Sequence, residues 1–387
     1  MHDLLIKGGR VVDPANNIDA LMDVAVDGDK IASVAKNIPA TEGKKVIDAK
    51  GKNVTPGLID MHAHVCDSVV KNGAPVDIAG VRQGVTTIVD AGSAGQVNFP
   101  AFPKFIIPKA RTTVYCFLHI SSTGLALQPE LKGPWEVDPA ETAAVVKAYP
   151  GLIKGIKIRL VGAYVGTNGL ELFKTAKKVA KDCGLPIMVH IGDTECKVPA
   201  SLTREFLPLM EKGDILSHGF TAKQGSTMRA DGTFIPEFKA ALERGMIFDI
   251  AHGRYNLSYE VARRGLAQGI MPDTISSDLT LQSLAFKVYG LFVTMSKFLG
   301  LGLSLNQVVA MTTINPAKVM GIAGRKGSLS RGKDADISIL ELVPGKWQLI
   351  DAENEVMTAK ELIMPRLTVK AGKVVLPKLV ALPENLA

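Results

Sequence analysis

Seven histidines occur in the 387 residues, and His62, His64, His190, His218 and His252 all fall where strand-like apolar runs end. His62 and His64 stand two apart in the run VTPGLIDMHAHV, which also carries Asp60. Alternate residues of a strand share a face, so both imidazoles and the Asp60 carboxylate project together. Two neutral imidazoles converging in this way suit a borderline divalent ion such as Zn²⁺. His190, His218 and His252 close three later runs; each alone would serve equally as a hydrogen-bonded core residue. Gathered at one rim with the first pair, they are hard to explain as core filler. Asp278 follows Ser276 and Ser277 at the end of another run, where a carboxylate can ligate a metal or accept a proton from water. His119 reads as a core histidine and His2 as a terminal one.

The elements that must position these groups alternate along the middle of the chain. Strand-like runs are expected at residues 54–65, 86–92, 112–121, 153–161, 186–192, 214–220, 246–253 and 273–279. Amphipathic stretches such as GLELFKTAKKVAKDCG and PEFKAALERG lie between them, each closed by a glycine that suits a helix C-terminus. Eight such units predict a (β/α)8 TIM barrel over residues 54–330, whose active site gathers at the C-terminal ends of the strands. Both chain ends differ from this middle. Residues 1–53 and 331–387 read as short β segments with tight turns at Asp27-Gly28-Asp29 and Lys370-Ala371-Gly372-Lys373. Together they predict a small β-sandwich domain built from both termini.

Composition narrows the class. A chain this long with 47% hydrophobic residues buries a large core, which excludes a disordered chain or a disulfide scaffold. The net charge of +7 is dispersed, and no basic run suggests nucleic acid. Cys66, Cys116, Cys183 and Cys196 show no C-x-x-C spacing, as in a reducing cytoplasm. The start MHDLLIKGGR lacks a signal-peptide core, and the longest uncharged stretch, Thr112 to Pro129, is too polar to span a bilayer. The expected location is the cytoplasm and the expected partner a small-molecule substrate, with no nucleic acid and no membrane; a homo-oligomer is compatible with the sequence.

VTPGLIDMHAHV resembles the first barrel strand of the amidohydrolase superfamily, and the flanks IKGGRVVDPAN and GRKGSLSRGKDADISIL are similar to that superfamily too. The resemblance implies that His62 and His64 bind one metal and that His190 and His218 bind a second. It further implies that a carboxylated lysine on the fourth strand bridges the two, and that Asp278 binds the first metal and moves protons. The cofactors implied are two divalent ions (zinc, with manganese, iron or nickel as alternatives) sharing a bridging hydroxide. The fourth strand offers Lys154 and Lys157. Alternation puts Gly155, Lys157 and Arg159 on one face and Ile156 and Ile158 on the other; the apolar face belongs against the helices, which selects Lys157.

A longer stretch, MIFDIAHGRYNLSYEVARRGLAQGIMPDTISSDL, resembles the deacetylase-like group related to dihydroorotases. True dihydroorotases carry H-x-H-x-R, whose arginine grips a substrate carboxylate; here Cys66 occupies that place. The function implied is hydrolysis of an amide or ester, an N-acyl or O-acyl group on a small acid. Substrate contacts are expected from His252, Arg159 and Arg254. The alternatives are a cyclic amidohydrolase, a mononuclear deaminase suggested by His190-Ile191-Gly192-Asp193, and a non-catalytic scaffold relative.

Overall fold

A computed structural model describes residues 1–386. The N-terminal strands are β1 (Leu4–Asp13), β2 (Ile18–Asp27), β3 (Lys30–Ala35), β4 (Val46–Asp48) and β5 (Asn53–Pro56). Seven parallel strands follow: β6 (Leu58–Ala63), β7 (Val85–Ala91), β8 (Thr113–His119), β9 (Ile153–Arg159), β10 (Ile187–His190), β11 (Ile215–Ser217) and β12 (Ile247–Asp249). The chain ends with β13 (Ile337–Ile350), β14 (Val356–Lys370) and β15 (Lys373–Val375).

Strands β6 to β12 pair in sequence order, the arrangement of a TIM-barrel-like α/β fold. The expected eighth strand differs from a regular one. Residues 273–279 form single parallel bridges only, Thr274 to Asp249 on one side and Leu279 to Ala63 on the other. Backbone bonds from His252 N to Ser276 O, Asp278 N to His62 O and His64 N to Leu279 O carry the closure. The ladder breaks because Asp278 holds φ 49°, a left-handed conformation that no strand accommodates.

The first expected strand also divides. Asn53–Pro56 pairs with β1 and β13, and only after Gly57 does the chain enter the barrel as β6. Gly57 is required at this handover, since a Cβ there would stand 2.3 Å from Thr86 Oγ1. Both chain ends contribute to one continuous eight-stranded sheet, ordered β15-β14-β13-β5-β1-β2-β3 with β4 beside β1. Its two hairpins lie where the turn residues placed them, with Gly28 at φ 58° and Ala371 and Gly372 at φ 48° and 75°.

The apolar sides of the barrel strands face the helices. Ile156 and Ile158 of β9 pack outward into one cluster with Phe173 and Ala176 of the helix Ala163–Asp182. Among the described residues no helix is long and apolar enough to cross a membrane.

Candidate metal centre and active site

Strand alternation turns His62 and Lys157 into the barrel, where both are fully buried. Lys154 lies apart from these groups, with Nζ 4.8 Å from the Tyr115 ring centroid. Lys157 Nζ lies 3.4 Å from His62 Nε2. His62 Nε2 is 3.6 Å and His64 Nε2 3.1 Å from Asp278 Oδ1. His218 Nε2 lies 2.8 Å from His190 Nδ1. One potential ligand atom each from His62, His218 and Asp278 falls within 4.8 Å of the others. The structure therefore brings His62, His64, Lys157, His190, His218 and Asp278 to one place.

The outer nitrogen of each anchored ring fixes which nitrogen faces inward. His62 Nδ1 lies 3.2 Å from Ser217 Oγ and 3.4 Å from Asp249 Oδ2. His218 Nδ1 donates to Ala251 O at 2.6 Å. Ser93 Oγ donates to Asp90 Oδ2, so it accepts from His64 Nδ1–H at 3.0 Å. Such outer partners set tautomer and orientation in imidazole–metal sites. His64 Nε2 then presents a lone pair to Asp278 Oδ1 at 3.1 Å, two electron-rich atoms with no proton between them. A cation among these atoms resolves that opposition, and nitrogen and carboxylate donors in this number suit a divalent ion.

Burial shapes the charge states. It drives His62 and His190 well below the usual histidine range, and His218 down to about 3. It also pulls Lys157 down to about 7 against the opposing pull of Asp278, so a neutral amine is within reach near neutrality. Burial raises Asp60 to about 7 despite bonds from the Ser277 amide and hydroxyl, and raises Asp249 to about 6. Asp60 thus braces the Ser277 backbone beside Asp278. His218 and Asp278 sit at φ 69° and 49°, so the backbone is strained at two of the converging residues.

The cage opens into a cleft of about 520 Å³, whose wall includes His64, His190, Asp278, Arg159, Arg254 and Asn256. Arg159 is already paired, Nη1 donating to the buried Glu130 Oε1 at 2.8 Å. Arg254 is half-buried, its guanidinium 5.0 Å from the Tyr255 ring centroid. His252 departs from expectation. It is absent from the cleft wall: its Nδ1 donates to Gly253 O and its Nε2 accepts from Lys297 Nζ, each at 2.5 Å. With both nitrogens engaged, it has none left for substrate or metal. Cys66 is fully buried, and burial pushes its thiol up, so it cannot replace a carboxylate-gripping arginine. Asp193 lines the cleft and accepts the amides of Glu195, Lys197 and Val198, which braces that loop.

Two residues escaped the sequence reading. Asn256 lines the cleft with Oδ1 buried and unpartnered, and no motif marks it. His119 is fully buried with Nε2 unpartnered, and only its place at the end of a strand could have signalled it.

The amidohydrolase family model matches residues 53–375, which include every residue of this cage. The chain belongs to the amidohydrolase family. It is a hydrolase acting on carbon–nitrogen bonds. A deacetylase of Agrobacterium fabrum (strain C58) is 33% identical over 90% of this chain and 85% of its own. A deacetylase of Enterococcus faecalis (strain V583) is 32% identical over 96% of this chain and 99% of its own. Among solved structures, an adenine deaminase superposes with TM-score 0.89 at 31% identity, covering 97% of this chain and all of that one. A dihydroorotase superposes with TM-score 0.85 at 30% identity, covering 98% of this chain and all of that one. The amidohydrolase family generally binds divalent metals, and the cluster of His62, His218 and Asp278 is of the type that holds one.

Proposed function

We propose that this chain is a metal-dependent hydrolase that removes an N-acyl or O-acyl group from a small acid. The observation that carries the reading is the meeting of His64 Nε2 and Asp278 Oδ1 at the floor of a cleft that also presents Arg254. The deacetylase relatives support it. In this reading residues 54–330 carry the catalysis, and residues 1–53 with 331–387 form the accompanying β domain.

His62 and His64 would hold one divalent ion and His190 and His218 the other, with Lys157 carboxylated between them and Asp278 completing the set. Two such ions, of zinc, manganese, iron or nickel, supply Lewis acidity toward the scissile carbonyl and lower the pKa of the attacking water. Asp278 takes the proton of that water at a carboxylate oxygen and delivers it to the leaving nitrogen or oxygen. Arg254 faces the acid end of the substrate, since the charge of Arg159 is already met by Glu130.

The test is a panel of N-acetyl amino acids, O-acetyl hydroxy acids, dihydroorotate and adenine, assayed on zinc- and manganese-loaded protein with metal content measured. Acetate release with two ions per chain supports the proposal. Ring opening of dihydroorotate would favour a cyclic amidohydrolase, and ammonia release with one ion per chain a deaminase. Failure to retain any ion, with no turnover, would favour a scaffold.

A further inference from the structure

We propose that His119 is a positioning residue for carboxylated Lys157, its Nε2–H donating to an oxygen of the carbamate. The inference rests on the two-metal reading above and assigns a role to a residue outside that ligand set.

His119 and Lys157 are register partners of the parallel strands β8 and β9, so their side chains emerge at the same level on the same face. Over Gly92 the two meet: a Cβ on that glycine would stand 2.6 Å from Lys157 Cγ and 3.4 Å from His119 Cδ2, the carbon bonded to Nε2. The tautomer follows from the other nitrogen. Nδ1 accepts the Ser121 amide at 3.0 Å and lies 2.7 Å from Ser121 Oγ, which puts the ring proton on Nε2. That Nε2–H is buried and has no acceptor among the described residues. An orphaned buried donor is costly and calls for an explanation. His119 is fully buried and absent from the cleft wall, so the missing acceptor lies inside the barrel and is not part of a substrate in the cleft. Lys157, its neighbour on the same face, offers at most the single lone pair of a neutral Nζ until it is modified.

Carboxylation supplies the acceptor. The lone pair of neutral Nζ attacks the carbon of CO₂ and the N–C bond forms. One C=O π pair moves onto oxygen, and one N–H proton leaves to solvent. The product carries two oxygens, of which one can face His119 while both remain able to meet metal.

The experiment loads the protein with ¹³C-bicarbonate and zinc, then follows the carbamate by ¹³C NMR and zinc by elemental analysis; Lys157→Met identifies the signal. A hydrogen bond to a charged group is worth about 1.5–3 kcal/mol, or roughly ten- to hundredfold. His119→Phe, which keeps the ring without a donor, is expected to need at least tenfold more bicarbonate for half-occupancy and to lose zinc in parallel. His119→Gln, which returns an N–H near the Nε2 position, is expected to stay within about threefold of the parent. A carbamate in the parent that persists in His119→Phe with unchanged bicarbonate dependence overturns the role of His119. Equal loss in the Phe and Gln variants also overturns it, by showing a packing role. A parent without any carbamate overturns it by a different route, because the bridging lysine itself then fails.

Discussion

Lys297 Nζ lies 2.5 Å from His252 Nε2, on the far side of the cleft wall and wholly out of solvent. Nζ also donates to Lys287 O and Ile350 O at 2.7 Å, so it meets three polar partners, while burial drives the amine well below the usual lysine range. His252 in turn holds Gly253, whose backbone abuts the metal cage: a Cβ there would stand 2.3 Å from Asp278 Oδ2. A chain of contacts thus runs from strand β13 to the carboxylate proposed to move the proton. In Lys297→Met the stem volume survives while three polar partners lose the nitrogen they meet. At about 1 kcal/mol each at the low end, a destabilisation of about 3 kcal/mol is expected, with kcat reduced about tenfold. Denaturant unfolding and steady-state kinetics check this; an unchanged midpoint would show that water replaces the amine.

Gly92 has φ 87° and supports the Lys157 stem, which an added methyl would meet at 2.6 Å. Gly92→Ala forces either the strained backbone or the lysine to shift. Metal content below that of the parent and a rate loss of at least tenfold are expected, with the circular dichroism of the folded chain retained. Parent-like zinc content and rate would mean that the lysine need not be held there.

Asp278→Asn keeps the size of the side chain but cannot accept a proton. Several orders of magnitude in kcat are expected to disappear while the protein still melts cooperatively. Activity within tenfold of the parent would remove Asp278 from the proton path.

Asp336 anchors the terminal sheet to the barrel. Its carboxylate accepts from Lys326 at 2.5 Å, from Lys370 at 2.8 Å and from the Ala371 amide at 3.0 Å, and Asp334 also faces Lys326 at 3.2 Å. Burial would raise the Asp336 carboxyl, but the charges of Lys370 and Lys326 overcome it and leave the group below its ordinary range. A carboxyl depressed on folding contributes stability above its unfolded value, near 3.9, and that contribution is lost as pH falls toward the folded value. Asp336→Asn is expected to destabilise the chain by about 3 kcal/mol at neutral pH, because Lys370 loses its carboxylate and buried Lys326 is left with Asp334 alone. The gap between variant and parent should narrow below about pH 4. Chemical denaturation across pH measures both; a gap independent of pH would contradict the ion-pair account.

Much of the site was legible because strand alternation is a strong local rule. It placed His62 with His64 and separated Lys157 from Lys154, since Ile156 and Ile158 had to face helices. Periodicity carries no information about a residue that leaves its strand. Asp278 and His218 adopt left-handed backbones that sequence alternation does not announce, so the eighth strand reads as regular in sequence and is only bridged in space. His252 looked like a site residue because its partner, Lys297, lies 45 positions away and is drawn in by packing alone. The orphaned nitrogen of His119 is likewise a property of three-dimensional surroundings.

Arg254 gives the sharpest test of substrate class. Both arginines reach the cleft, yet Glu130 already neutralises Arg159 with a buried bond of 2.8 Å, leaving Arg254 as the cation available to an incoming acid. A charge-assisted hydrogen bond is worth about 1.5–3 kcal/mol, so Arg254→Gln is expected to raise KM roughly ten- to hundredfold on an N-acyl amino acid, with kcat little changed. On the matching amide, whose carboxylate is neutralised, parent and variant should differ by less than about threefold. Arg159→Gln should behave differently: it strands the buried Glu130 charge, so its first effect is lower stability in thermal unfolding. An equal KM penalty from Arg254→Gln on the acidic and the neutral substrate would show that the arginine packs against the ligand without reading its charge. A penalty confined to Arg159→Gln would mean that the substrate acid displaces Glu130.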